Sequence, residues 1–240
     1  NLFWPMLEHS KNAFRGYPEN ALSFLKEIER NNNRPWFQEN KSRYEDLIRT
    51  PSLDFIEAMG ARIEKKLSPH FLAVRKKVGG SLMRVYRDTR FSKDKTPYKT
   101  NVGIQFRHVQ GKDVHAPGFY VHLEPGNCFL GAGIWRPESK SLLRIREFIA
   151  DNPNAWRSAL SVRGFKKNWR LIGDSLVRPP KGFDKDHPLI ADLKRKSFIA
   201  RYSFPDKHIY NSDFCDFSIK YFSQAEELMD CLCFAIAVNY

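Results

Sequence analysis

The chain has 240 residues and a formal net charge of +13, from 40 Lys and Arg against 27 Asp and Glu. Its 42% hydrophobic and 14% aromatic residues exclude a disordered chain, and no apolar run reaches the ~20 residues that cross a bilayer as a helix. The positive balance favours acidic partners, whether phosphates, nucleic acid or another polyanion.

The opening stretch NLFWPMLEHSKN lacks the charged-then-apolar order of a secretory signal. NALSFLKEIERN (20–31) places Leu22, Leu25 and Ile28 at helical spacing. Asn33 offers an N-cap for a second helix, and Pro35 sits in its first turn, where the missing N–H has no partner to lose. Pro51 separates this helix from a third, whose apolar stripe is Phe55, Met59, Ile63 and Leu67.

The period then changes. SLMRVYR (81–87), VGIQFRH (102–108), GFYVHLE (118–124) and NCFLGAGIW (127–135) read as strands, and Pro125-Gly126 makes the last two a hairpin. Helical spacing returns over 138–150, bounded by Pro137 and Pro153. The segment 162–201 is irregular and basic, with a loop at RPPKGFDKDHP and a short strand at SFIARYSF. YFSQAEELMDCLCFAIAVNY reads as a closing helix, apolar after Asp230 and buried against the sheet. Helices, then strands, then helices predict one α+β domain over residues 1–240, with a central, mainly antiparallel sheet and C-terminal helices packed on it.

The four cysteines, at 128, 215, 231 and 233, have neither zinc-site spacing nor a disulfide framework. They read as buried free thiols in a reducing compartment, and the expected location is the cytoplasm. No Walker loop, H-E-x-x-H, G-x-S-x-G or paired C-x-x-C is present, so no cofactor and no metal is expected. Gly131-Ala132-Gly133 lies within a strand, where close backbone packing or a bulge accounts for it better than nucleotide cradling.

The densest signal is RVYRDTRFSKDKTPYKTN (84–101). Arg84, Arg87, Arg90, Lys93, Lys95 and Lys99 stand there against only Asp88 and Asp94. Guanidinium groups match phosphate or carboxylate oxygens with paired donors, and lysines add point charges. Arg84, Arg87, Arg90, Lys95, Tyr98 and Lys99 are therefore the candidate anion-binding residues, with Arg34, Trp36, Phe91 and Tyr120 as candidate pocket walls. The alternative is an internal brace, in which Asp88 and Asp94 pair with the arginines. Asp88 and His122 are the candidate proton carriers; His122 shares a strand face with Tyr120 and Glu124.

Four stretches, NNNRPWFQENKSRYEDLI, RVYRDTRFSKDKTPYKTN, GFYVHLEPGNCFLGAGIW and RPPKGFDKDHP, occur in that order. Together they resemble a family of bacterial and fungal proteins known as a conserved domain of unknown function, the one numbered 2461. Asn32, Arg34, Trp36, Arg84, Arg87, Asp88, Arg90, Phe91, Lys95, Pro97, Tyr98 and Lys99 match its motif positions. The resemblance implies the extent of the domain and no activity. Three functions remain open. The first is a phosphate- or carboxylate-bearing small ligand held in a basic pocket around 84–101, with or without catalysis. The others are binding of nucleic acid or another polyanion, and a scaffold whose basic loop is paired internally. No membrane partner is expected.

Overall fold

A computed structural model of the chain describes residues 14–76, 78–111 and 115–240. The opening stretch read for a signal, 1–12, lies outside them.

The first helix, α1 (Ala21–Arg30), buries Leu22, Phe24, Leu25 and Ile28, the stripe its spacing predicts. Asn33 caps the short α2 (Arg34–Glu39), its side-chain oxygen accepting from the Trp36 N–H at 3.0 Å. The predicted second helix is interrupted at Asn40, and its second part merges with the third. α3 (Lys41–Tyr44) runs through a π-helical turn (Glu45–Arg49) directly into α4 (Thr50–Lys66). Pro51 falls at the start of α4 rather than in a break. A proline has no N–H to give the preceding turn, and the widened π-turn is the kind of local adjustment that lets the helix pass.

Six strands form one antiparallel sheet: β1 (Phe71–Leu72), β2 (Val102–His108), β3 (Gly118–Leu123), β4 (Phe129–Ile134), β5 (Arg170–Ile172) and β6 (Phe198–Ser203), in the spatial order β1-β2-β3-β4-β6-β5. The protein is thus α+β, with helices before and after the sheet. The β3–β4 hairpin turns at Pro125-Gly126, with Gly126 at φ 74° and the Asn127 N–H bonded to the Glu124 carbonyl at 2.9 Å.

One predicted strand is not continuous. Residues 81–87 form two isolated bridges, Leu82↔Ile104 to β2 and Tyr86↔Tyr98 to the chain before it. Between those bridges the chain advances four residues on one side and six on the other, so the two extra residues interrupt the ladder. The closing helix also differs from its predicted limits. It begins earlier, as α9 (Phe214–Phe222), tightens through a 3-10 turn, and ends as α10 (Glu226–Ala235). Leu232 and Cys233 are buried there, whereas Phe234 is 71% exposed.

Between β4 and α9 lie α5 (Ser139–Asp151), α6 (Pro153–Ser161), α7 (Arg163–Asn168) and α8 (Ile190–Leu193). One face of the sheet is closed by helices. Ile104 and Phe106 of β2, Phe119 and Val121 of β3, and Leu130 and Ile134 of β4 are fully buried. The Phe106 ring lies 6.3 Å from Phe55 of α4, and Phe119 lies 4.8 Å from Phe222 of α9. Each such side chain contributes about 1.5–3 kcal/mol by leaving water. The alternate residues of the same strands point to the opposite face. That face holds the candidate site.

Candidate functional site on the open sheet face

Strand register fixes what the open face presents. One cross-strand row reads Arg107, Gly118, Gly133, Ile199, Ile172, and the next reads Gln105, Tyr120, Gly131, Arg201, Arg170. A third holds Gly103, His122, Phe129 and Ser203. Gly118, Gly131 and Gly133 are thus neighbours on one face, and the side chains they lack leave a cavity of about 480 Å³. Its walls include Phe129, Trp135, Ile172 and Ile199, with Met83 entering from the segment beside β2. The volume lies within the usual range for small-molecule sites.

The three glycines serve different ends. Gly133 has φ 134°, and a Cβ there would sit 1.9 Å from the Phe198 carbonyl oxygen, so it answers to the close packing read from the sequence. Gly131 has no such restraint; its nearest neighbour would be the Tyr120 Cβ at 3.4 Å. Its bareness leaves the floor open.

A polar chain runs along one wall. The Tyr120 hydroxyl lies 3.0 Å from His122 Nδ1, and His122 Nε2 lies 3.3 Å from Glu124 Oε2. A carboxylate only accepts, so the imidazole proton belongs on Nε2 and Nδ1 accepts from Tyr120. The Asn101 side-chain amide approaches the same Nδ1 at 3.4 Å, and the Asn127 amide donates to Glu124 Oε2. Burial pushes the His122 pKa below its ordinary value, although the bond to Glu124 opposes this. The ring is therefore neutral near pH 7. Burial pushes Tyr120 up to about 12, so it is a phenol. Tyr120, His122 and Glu124 form a route along which one proton can pass from the cavity wall to a carboxylate.

Two arginines supply positive charge. Arg107 lines the cavity. Arg201 lies over the Phe129 ring, 4.1 Å from its centroid, while His122 stacks on Phe129 at 4.5 Å. Arg201 Nε donates to Ser203 Oγ at 3.0 Å, and its Nη2 donates to Asn127 Oδ1 at 2.5 Å. Those acceptors are neutral, so they hold the guanidinium without cancelling its charge.

Of the residues singled out in the sequence, Tyr120 and His122 line this cavity, and the basic stretch 84–101 does not. Both of its acids are paired with arginines of the same stretch. Arg90 grips Asp88 through two bonds, at 2.7 and 3.0 Å. Arg87 donates to Asp94 and to Thr96 Oγ1, and Lys95 Nζ donates to the Thr89 carbonyl at 2.9 Å. The Arg90 side chain holds the Asp88 carboxyl at about 2, which makes Asp88 a poor proton carrier near neutral pH. Asp94 is likewise held at about 2, first by the Thr96 N–H and then by Arg87.

Tyr98 is buried, stacked on Phe37 with centroids 3.9 Å apart, and Trp36 stacks on Phe24 at 6.0 Å. Arg34, Arg84 and Phe91 are exposed, and Phe91 is 96% so. Burial, aided by the nearby charge of Arg84, lowers the Lys99 pKa. Residues 84–101, a hairpin bridged at Tyr86↔Tyr98, meet the cavity through Asn101, which reaches His122, and through the preceding Met83, which lines it.

Because the Arg87–Asp94 pair is part-exposed, Arg87→Ala is expected to cost no more than about 1 kcal/mol. Chemical denaturation measures this directly. A loss above about 3 kcal/mol would make Arg87 a buried linchpin instead.

Gln105, Arg107, Gly118, Phe129, Trp135 and Arg201 were not visible as site residues in the sequence. Period-2 alternation places Gln105 and Arg107 on the same face of their strand, but nothing local brings β6 beside β4.

The model of a family described as conserved hypothetical protein (DUF2461) matches residues 20–231. No curated protein and no solved structure matches the chain.

Proposed function

We propose that the chain, which belongs to that conserved hypothetical family, binds a small molecule with an apolar body and an anionic group in the cavity on the open face of its sheet. The observation that carries the proposal is the cavity itself: about 480 Å³, floored by glycine backbone and walled by Phe129, Trp135 and Ile199, with Arg107 in its lining. Apolar walls with a few placed polar groups are the usual composition of a ligand site. An anion beside Arg107 gains a charge-assisted hydrogen bond, worth more than one to a neutral donor. The sequence reading put the anion among residues 84–101; the size and apolar walls of the neighbouring cavity support a ligand with an apolar body there instead. The Tyr120–His122–Glu124 chain supports proton transfer to or from the bound molecule, with Tyr120 as the group in contact.

The probe is 8-anilinonaphthalene-1-sulfonate, an aromatic body with one anionic group whose fluorescence rises on leaving water. The folded protein is expected to bind it saturably at one site. Gly131→Leu puts a side chain on the cavity floor at a position with ordinary backbone and ordinary contact distances. That variant should keep its unfolding midpoint and bind the probe at least tenfold more weakly. Unchanged affinity in the folded variant would place the probe elsewhere and contradict the proposal.

A further inference from the structure

Resting on the reading of the cavity as a small-anion site, we propose that its occupant is a nucleotide, with the base lying flat on the glycine floor. Gly118 and Gly133 are register partners on adjacent strands, and Gly131 is the next residue on the same face of β4. Strands lie ~4.8 Å apart and same-face residues ~6.7 Å apart along a strand, so three corners of a patch of about 5 by 7 Å are bare, and Tyr120 stands at the fourth. A planar heteroaromatic ring has that footprint. A branched or puckered body would leave much of such a floor uncovered.

The surrounding groups fit the same chemistry. Gln105 and Tyr120 are register partners at one side of the floor, and both line the cavity. The Gln105 amide offers a donor and an acceptor together, the pairing that reads the edge of adenine. Trp135 adds aromatic surface beside the floor, while the Phe129 ring is already engaged by His122 and Arg201.

Phosphate is served by side-chain cations, consistent with a sequence that has no Gly-rich phosphate loop. Arg107 is in the lining, and Met83 joins the cavity to the stretch in which Arg84 and Lys99 follow. The same chemistry reaches the site from two sources, a free mononucleotide or one base of a single strand whose further phosphates run along the basic hairpin. The net charge of +13 is suited to either.

The test titrates the full chain and Gly131→Leu with adenosine 5′-monophosphate, ribose 5-phosphate and a fluorescein-labelled single-stranded oligoadenylate of eight residues. Adenosine monophosphate or the oligonucleotide should bind, with ribose 5-phosphate at least tenfold weaker than adenosine monophosphate or without detectable binding. Gly131→Leu should weaken whichever binds at least tenfold. Oligonucleotide binding that falls steeply with salt, with no monophosphate binding, assigns the strand as the source; comparable binding of both assigns the free nucleotide.

Ribose 5-phosphate binding as tightly as the monophosphate overturns the assignment of the base. Oligonucleotide binding untouched by Gly131→Leu, without monophosphate binding, overturns it too, because the contact is then the hairpin surface alone. If no nucleotide binds while 8-anilinonaphthalene-1-sulfonate still binds and is displaced by Gly131→Leu, the nucleotide assignment fails and the small-anion site stands. If the sulfonate too is insensitive to Gly131→Leu, both fail.

Discussion

Gly133→Ala is expected to lower the unfolding free energy by about 3 kcal/mol or more, at or beyond the upper end of the cost of an ordinary substitution. The backbone at Gly133 has φ 134°, where an L side chain is strained. A Cβ would stand 1.9 Å from the Phe198 carbonyl oxygen and 3.0 Å from the Ile199 Cα, both backbone atoms of the paired strand. Neither can rotate away, so β4 and β6 must part locally. Gly131→Ala is the control. Its Cβ meets nothing closer than 3.4 Å, and its backbone is of the ordinary kind. That change should move stability by less than about 1 kcal/mol, since a strand position gains a side chain that fits. Urea unfolding of the two variants measures both numbers, and equal midpoints would mean that the β4–β6 approach is looser than described.

Tyr98→Ala should be nearly as damaging, at about 3 kcal/mol, the lower end for truncating a buried aromatic ring. Tyr98 is 2% exposed, stacked on Phe37 at 3.9 Å, and 5.4 Å from Tyr86 across the hairpin. Its backbone is held from outside the hairpin as well. The Asn32 amide donates to the Tyr98 carbonyl at 2.9 Å, and the Tyr98 N–H donates to Asn32 Oδ1 at 3.0 Å. Asn32 thus takes the place a neighbouring strand would occupy. Phe91→Ala, seven residues away at the exposed tip, should change stability by no more than about 0.5 kcal/mol. If Tyr98→Ala unfolds like the parent protein, the ring is not the anchor of the hairpin and its reading as an anion-binding residue revives.

Local signals carried the N-terminal helices, α5 and the main hairpin, but not α6, α7 or α8. The Asn33 cap, the Pro137 and Pro153 limits, and the alternation through GFYVHLEPGNCFLGAGIW each depend on neighbours in the chain, which a sequence displays. β1 and β5, with two and three residues, are too short to show any period. The 81–87 segment alternates like a strand, but whether it forms a ladder depends on how residues 98–104 pair with it. The merger of two helices across Pro51 depends on a π-turn that no composition announces.

The site follows the same division. His122, Tyr120 and Glu124 share a face by alternation alone, and that much was legible. The glycine floor was not, because Gly118 and Gly133 come together only through β3–β4 register, and Arg201 reaches Phe129 from a strand some seventy residues later. Charge density points to 84–101, where two of the six cations are paired with acids. The acids that offset it are close in sequence, Asp88 two residues from Arg90 and Asp94 seven from Arg87. Short-range pairing of that kind tends to satisfy a loop internally before it serves a ligand.

The most direct measurement is an amide and imidazole nitrogen NMR titration of isotope-labelled protein with 8-anilinonaphthalene-1-sulfonate. The expected result is saturable shifts at the amides of Gly118, Gly131 and Gly133 and at the His122 ring nitrogens, with the tip residues Phe91 and Lys93 unmoved. Shifts confined to residues 84–99, with the three glycines and His122 unchanged, would return the anion to the hairpin and contradict the cavity as the site.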